Sequence, residues 1–379
     1  VSLITKTLGI TLTDEMLRFT KGPWEQVKLL DGTMASGIWN MPATLIALFM
    51  SWVLYRGIKE SASINNVIVA VKVIIILAVI VVGWGVIDPQ NWIANPAATG
   101  LARLVPVEGL SVRHGMEYMS FGWKGVLTGA GVVFFAYIGF DAVSTTAQEA
   151  KNPQRDLPRG ILTSLVICTI VYVLMALVMT GVVPYKELGV SDPVAVAVDR
   201  IVSLRGWSMG AQKTLSFAVK FGALAGLTSV ILVMMLGQTR VFYAMSKDGL
   251  LPWFSNVHKK YQTPHIATAV TGVFVALCGG LMPMSLVGEL VSIGTLLAFV
   301  LVCAGIPILR IKDPNRTRPF RTPFFWPVSI LGAGSCLFVM TGLPLDTWLR
   351  LLIWLAIGFA IYFGYGIKNS KLRKEQGMN

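Results

Sequence analysis

The chain has 379 residues, of which 54% are hydrophobic and only 13% charged, and its mean hydropathy is +0.68. A water-soluble domain carries about 25% charged residues, so a soluble globular surface of this size is excluded. The net charge of +13 would suggest nucleic acid in a soluble protein, but here the bases lie in short loops between apolar runs, where membrane orientation accounts for them and nucleic acid is not an expected partner.

A bilayer core about 30 Å thick takes roughly 20 apolar residues per helix. Segments of that length recur along the chain without the alternation of a β-barrel. The expected fold class is therefore all-α, a polytopic membrane protein surrounded by lipids, because helices satisfy their backbone groups internally. Residues 1–36 are polar and amphipathic and hold neither a span nor a signal-peptide pattern. Nine spans follow: Ile38–Leu54, Asn65–Ile87, Trp123–Gln148, Gly160–Val183, Leu215–Met245, Ile266–Leu281, Leu286–Leu309, Phe324–Leu343 and Thr347–Ile367. Trp39, Trp92, Trp326 and Trp348 near span ends read as interfacial anchors.

The loops between these spans alternate in charge. One set holds 18 Lys and Arg residues, from Arg56 and Lys59 through Lys151–Arg159, Arg240–Lys260 and Arg310–Arg321 to Lys368–Lys374. The opposite set holds 11, spread over longer segments. The denser side is expected to be cytoplasmic, with the C-terminus inside and the N-terminus outside. That orientation, and a first residue of Val1, create the expectation of further spans upstream. Cys168, Cys278, Cys303 and Cys336 lie in apolar runs and read as buried, inert thiols. His114, His258 and His265 form no ligand set, and neither a metal nor a cofactor is expected.

The chemistry concentrates in Gly131–Pro158, GVVFFAYIGFDAVSTTAQEAKNPQRDLP. An apolar helix runs into Tyr137-Ile138-Gly139-Phe140 and then an acid, Asp141, in mid-span. Glycine weakens a helix by about 1 kcal/mol relative to alanine, and a carboxylate at depth needs a partner or water. Interrupted spans with ionisable residues expose backbone carbonyls and half-helix ends to substrate in transporters. A kinked helix with Asp141 turned toward a polar neighbour explains the pattern equally. Beyond it, Asn152-Pro153 is a turn signal, and Glu149–Pro158 reads as a cytoplasmic elbow.

Phe134–Asp141 (FFAYIGFD) followed by Glu149–Pro158 (EAKNPQRDLP) resembles the amino acid–polyamine–organocation transporters, in particular the cationic amino acid transporter branch. Gly237–Pro252 (GQTRVFYAMSKDGLLP), Glu289–Phe299 (ELVSIGTLLAF) and Ala70–Ile74 (AVKVI) are similar to further motifs of that branch, in the same order. The resemblance covers the chain from about Ile38 onward. It implies a twelve-helix body of two inverted five-helix repeats, in which the nine spans correspond to helices 4 to 12 and the first three helices have no counterpart. The chain then divides into an extracellular segment 1–36, the last two helices of the first repeat at 37–88, and an extracellular loop 89–122. The second repeat follows at 123–310 with its first helix discontinuous, then two C-terminal helices at 311–367 and a cytoplasmic tail at 368–379.

The resemblance also implies roles. Phe135, Ala136 and Ile138 match positions whose freed carbonyls accept from a substrate ammonium, with Gly139 at the break. A carbonyl without its i+4 donor does need another. Asp141 matches an acidic position that would sense a basic substrate or join proton transfer. Tyr137 and Phe140 would shape or gate the site, or pack against lipid. Lys72 lies about 10 Å into its span. It either snorkels to the surface or, as in proton-coupled relatives, loads and releases a proton, with the Thr228 and Ser229 hydroxyls holding its ammonium. Lys220 reads as a snorkelling residue. Glu289 reads as a structural carboxylate at the opening of its helix, suited to the positive helix end.

The function these residues suggest is secondary active transport of an amino acid across the plasma membrane, as a proton symport by alternating access. The alternative is a transport-inactive membrane protein that binds or regulates a partner. An enzyme is not expected, since no HExxH, GxSxG or paired intramembrane carboxylates with a base occur.

Overall fold

A computed structural model describes residues 13–57, 61–113, 116–140, 152–190, 193–251, 253–261, 263–315, 317–318 and 320–371. The helices in chain order are α1 (Asp14–Arg18), α2 (Met41–Arg56), α3 (Ser61–Trp84), α4 (Gly122–Val133), α5 (Pro153–Val182), α6 (Pro193–Arg205) and α7 (Met209–Lys247). They continue as α8 (His265–Leu281), α9 (Met284–Lys312), α10 (Phe325–Thr341) and α11 (Leu345–Ile361). Two short antiparallel hairpins, β1–β2 (Gln26–Lys28 with Met34–Ser36) and β3–β4 (Gly109–Arg113 with Met116–Ser120), lie outside the predicted spans. In the first hairpin's turn the Thr33 hydroxyl and amide both donate to Asp31, holding its carboxyl below the ordinary range.

Each of the nine predicted spans contains a helix. Five stretches among the described residues are long and apolar enough to cross a membrane: Asn66–Trp84, Pro153–Val182, Lys213–Lys247, Met284–Lys312 and Leu345–Asn369. α2, α8 and α10 are apolar but only 16 or 17 residues long, about 24–26 Å of helix. The surface is that of a protein solvated by lipid. Val166, Ile167, Ile170 and Val173 on α5, for example, are all more than half exposed, an arrangement that water would penalise.

That surface corrects one expectation. Cys168 is exposed on α5, and Cys278, Cys303 and Cys336 are half-buried. In a bilayer an apolar run has an outward face turned to lipid, so apolar surroundings in sequence do not mean burial. A second correction concerns Asn152–Pro158. Glu149 and Lys151 lie outside the described residues, but Pro153 already opens α5, with the Arg155 and Asp156 amides bonded to the Asn152 carbonyl. Proline at the first helical position needs no amide partner, so the turn signal marks a helix start. α6 was not expected at all. Its buried residues Ala197, Val198, Ile201 and Val202 form one helical stripe, interrupted in sequence by Asp199 and Arg200.

The chain forms two compact units, one of Val1–Ile75, Phe217–Val287 and Ala356–Asn379, the other of Ile76–Ser216 and Gly288–Leu355. In the first unit, α2 and α8 pack through small residues. Gly272 faces Ser51, Gly280 faces the Trp39 ring, the Thr44 hydroxyl reaches the Ala276 carbonyl (3.2 Å), and Ser51 donates to the Thr268 carbonyl (3.1 Å). Close approach of this kind is how helices associate where lipid removes the hydrophobic drive. In the second unit, Gly83 of α3 meets Val178 of α5 and Ile201 of α6. The Gly181 carbonyl accepts from the Asp88 amide (2.9 Å) and the Asn91 side chain (2.8 Å). A separate buried cluster joins Ile293 and Leu296 of α9 to Met340, Leu343 and Leu351.

Candidate functional site

α4 stops in the middle of its predicted span. After Val133 the chain tightens into a 3₁₀ turn, Phe134–Tyr137, and Ile138 adopts extended angles (φ −62°, ψ 136°). Gly139 then takes φ +115°, a region that residues with a Cβ avoid. The glycine singled out in the sequence thus sits where the backbone needs it. Phe135, Ala136, Ile138 and Gly139 are all half-buried. Asp141 lies outside the described residues.

Two carbonyls of the break already carry donors. The Phe135 carbonyl accepts from the Ile138 amide (3.0 Å), and the Ala136 carbonyl accepts from the Tyr172 hydroxyl (2.9 Å). Tyr172 stands T-shaped against Tyr137, with ring centroids 5.3 Å apart, and the Tyr137 hydroxyl donates to Thr169 (3.2 Å). α9 lies along the other side. Ser292 donates to the Val132 carbonyl (3.2 Å), in the last turn before the break where helical carbonyls lose their partners. Gly288 faces the Phe135 ring, and the Phe299 ring lies 5.9 Å from Phe134 and 5.3 Å from Phe140.

Tyr172, Ser292 and Phe299 were missed in the sequence. Tyr172 carried a signal, since a hydroxyl in the middle of an apolar run must find an acceptor. Ser292 and Phe299 carried none beyond their place in a familiar motif, because their partners are remote in sequence.

Lys72 belongs to the first unit, as do Thr228 and Ser229. Its stem runs beside Gly226 of α7. A Cβ on Gly226 would sit 3.4 Å from the lysine Cδ, and Gly222, one turn earlier, faces Ile75. The lysine is half-buried. The two hydroxyls expected to hold it donate instead within their own helix, Thr228 to the Leu224 carbonyl (2.8 Å) and Ser229 to the Gly226 carbonyl (2.8 Å). Their lone pairs are what they can offer an ammonium. Lys72 and the α7 small-residue face are therefore side by side, with Gly226 next to the lysine stem.

Glu289 is placed differently from its expected helix-opening position. It is the sixth residue of α9, only 2% exposed. Its Oε2 accepts from the Thr347 hydroxyl (3.0 Å) and from Arg350 (3.5 Å), while Arg350 also pairs with Asp346 (2.6 Å). The partners lie 58 and 61 residues away, too far for local sequence to announce them.

The model of the amino acid permease family matches residues 16–361. The chain belongs to the amino acid permease family. As a permease it is an integral, multi-pass membrane protein, and the family's business is transport rather than catalysis. Among its relatives, the methylthioribose transporter of Bacillus subtilis (strain 168) is 40% identical over 344 residues, covering 90% of this chain and 68% of the relative. The branched-chain amino acid permease BcaP of the same organism is 40% identical over 339 residues, covering 89% and 66%. The vacuolar cationic amino acid transporter 4 of Arabidopsis thaliana is 35% identical over 274 residues, covering 72% and 41%. The chain thus spans about two thirds of the length of these bacterial relatives and about two fifths of the plant one.

Proposed function

We propose that the protein moves an amino acid across the plasma membrane by alternating access, with the substrate ammonium at the helix break Phe134–Gly139 and the C-terminus on the cytoplasmic side. The observation that carries this reading is the Ala136 carbonyl. It has left regular helical geometry and accepts from a neutral tyrosine hydroxyl at 2.9 Å. A carbonyl oxygen has two lone pairs, so a charged ammonium can join or displace that donor, and charge-assisted bonds are the stronger ones. Phe135 and Ile138 would supply the neighbouring carbonyls, Gly139 the backbone freedom, and Asp141 a carboxylate that joins proton transfer.

The side-chain end of the substrate is the finer part of the proposal. Aromatic rings gather at the break, Phe134, Phe135, Tyr137, Phe140, Tyr172 and Phe299, beside the Ser292 and Thr169 hydroxyls. Such walls suit an apolar side chain, in keeping with the relative named for branched-chain amino acids and less so with the one named for cationic ones. Coupling is proposed to be proton symport through Lys72. A lysine held beside Gly226, with Thr228 and Ser229 close to that glycine in sequence, is placed to carry the coupled proton as the helices part.

Uptake into proteoliposomes tests both levels. Labelled leucine is expected to enter and, under an inward proton gradient, to accumulate above equilibrium, with excess leucine competing better than excess lysine or methylthioribose. Equilibration without gradient-driven accumulation would remove the symport proposal alone. Absence of any saturable uptake would leave the reading of a membrane protein that binds or regulates a partner.

A further inference from the structure

α9 shows two adjoining faces with different tasks. Gly288, Ser292 and Phe299 fall on one stripe, at i, i+4 and i+11, and all three face the segment around the break: Gly288 toward Phe135, Ser292 bonded to the Val132 carbonyl, and Phe299 against Phe134 and Phe140. Glu289, Ile293 and Leu296 fall on the next stripe, at i, i+4 and i+7. Ile293 and Leu296 enter the buried cluster with Met340, Leu343 and Leu351, and Glu289 bonds to Thr347 and Arg350 of α11. One helix therefore carries the break on one side and a buried polar anchor on the other. The two meet at neighbouring residues, Gly288 and Glu289.

The anchor is well partnered. Thr347 is fully buried and its hydroxyl proton goes to Glu289. Arg350 is shared between Glu289 and Asp346, and that second contact, four residues apart on α11, fixes the guanidinium along the helix. A buried acceptor of this kind cannot slide along its helix without stranding its donors, which costs far more than the net worth of the bonds. The apolar cluster beside it holds no directional bonds and resists sliding through close packing alone. Glu289 thus ties α9 to α11 at the residue next to Gly288.

We propose that Glu289 is a positioning residue of the substrate site: by fixing the register of α9 on α11 it sets the geometry of the break at Phe134–Gly139. The proposal rests on reading that break as the substrate site. Glu289 itself is not offered as a substrate ligand.

The test uses two independent readouts on the protein in nanodiscs and proteoliposomes. The first is hydrogen exchange across residues 132–140. Glu289→Ala is expected to speed exchange there by about tenfold or more, since stranding its donors releases the hold on α9. Glu289→Gln, which keeps an acceptor oxygen for Thr347, is expected to return it to within about twofold. The second is transport, where Glu289→Ala is expected to raise KM about fivefold with the maximal rate per folded molecule little changed. A residue that only supports the fold would lower the folded amount and leave the KM of the survivors alone. If Glu289→Ala does not fold, the isosteric Thr347→Val carries the same expectation at smaller size, about twofold to threefold in KM. Exchange at 132–140 that is unchanged in the folded variants, or a KM unchanged in both, overturns the proposal. A wild-type protein without uptake overturns the transport reading instead, and the exchange arm then still decides whether Glu289 governs the break.

Discussion

At Phe134–Gly139 the chain brings polar groups into an apolar span by undoing the helix. Around Lys72 it brings a charge into one and leaves the helix intact. The break exposes carbonyls and finds donors for them in Tyr172 and Ser292, side chains from helices remote in sequence. The lysine needs no backbone change. Its stem lies against a neighbour of little bulk, Gly226, where a Cβ would sit 3.4 Å from the lysine Cδ. The first solution makes a site whose specificity lies in backbone geometry, and so in whatever holds that geometry. The second makes a site whose behaviour lies in one side chain and in the space left for it. Substitutions should therefore act differently in the two places.

The largest effect is expected at the lysine. Lys72→Ala should abolish accumulation above equilibrium while leaving exchange of substrate across the membrane measurable, since the carrier of the coupled proton, not a substrate contact, is removed. Proton-driven accumulation that survives would contradict the role given to Lys72. At the break, Gly139→Val forces a β-branched residue into φ +115°, a strain of about 1–3 kcal/mol. Uptake should fall about tenfold or more, and normal uptake would show that the break is not needed in this form. Gly226→Val fills the space beside the lysine Cδ, and about threefold to fivefold loss of proton dependence is expected with binding unchanged. Tyr172→Phe removes only the neutral donor to Ala136. A rise in KM of about threefold at most is expected, with full coupling. A change in coupling there would mean that the two regions are not separable in the way described.

The legibility of each region follows from how it is built. The spans were readable because apolar length alone decides them, and α5 or α9 could hardly be missed. The break was readable because Gly139 and the preceding aromatics announce it locally. Its consequences were not, since the partners of Ala136, Val132 and Phe140 come from Tyr172, Ser292 and Phe299 on other helices. Glu289 is the sharpest case. From sequence it was a carboxylate near a helix start. Its anchoring role depends on Thr347 and Arg350, about sixty residues on. α6 escaped because Asp199 and Arg200 interrupt an otherwise apolar stripe, and the outward face of α5 turned an expected buried Cys168 into an exposed one.

The central claim is that the carbonyls of the break receive the substrate ammonium. Ala136-Tyr137 is the only Ala-Tyr pair in the chain, so labelling alanine carbonyls with carbon-13 and tyrosine amides with nitrogen-15 isolates one carbonyl of the site. Solid-state NMR of the protein in lipid, saturated with nitrogen-15 leucine, then measures the distance from the leucine ammonium to that carbonyl. The account predicts about 4 Å or less, the separation of a direct hydrogen bond counted to the carbonyl carbon. Bound leucine with no dipolar coupling to the Ala136 carbonyl would contradict it.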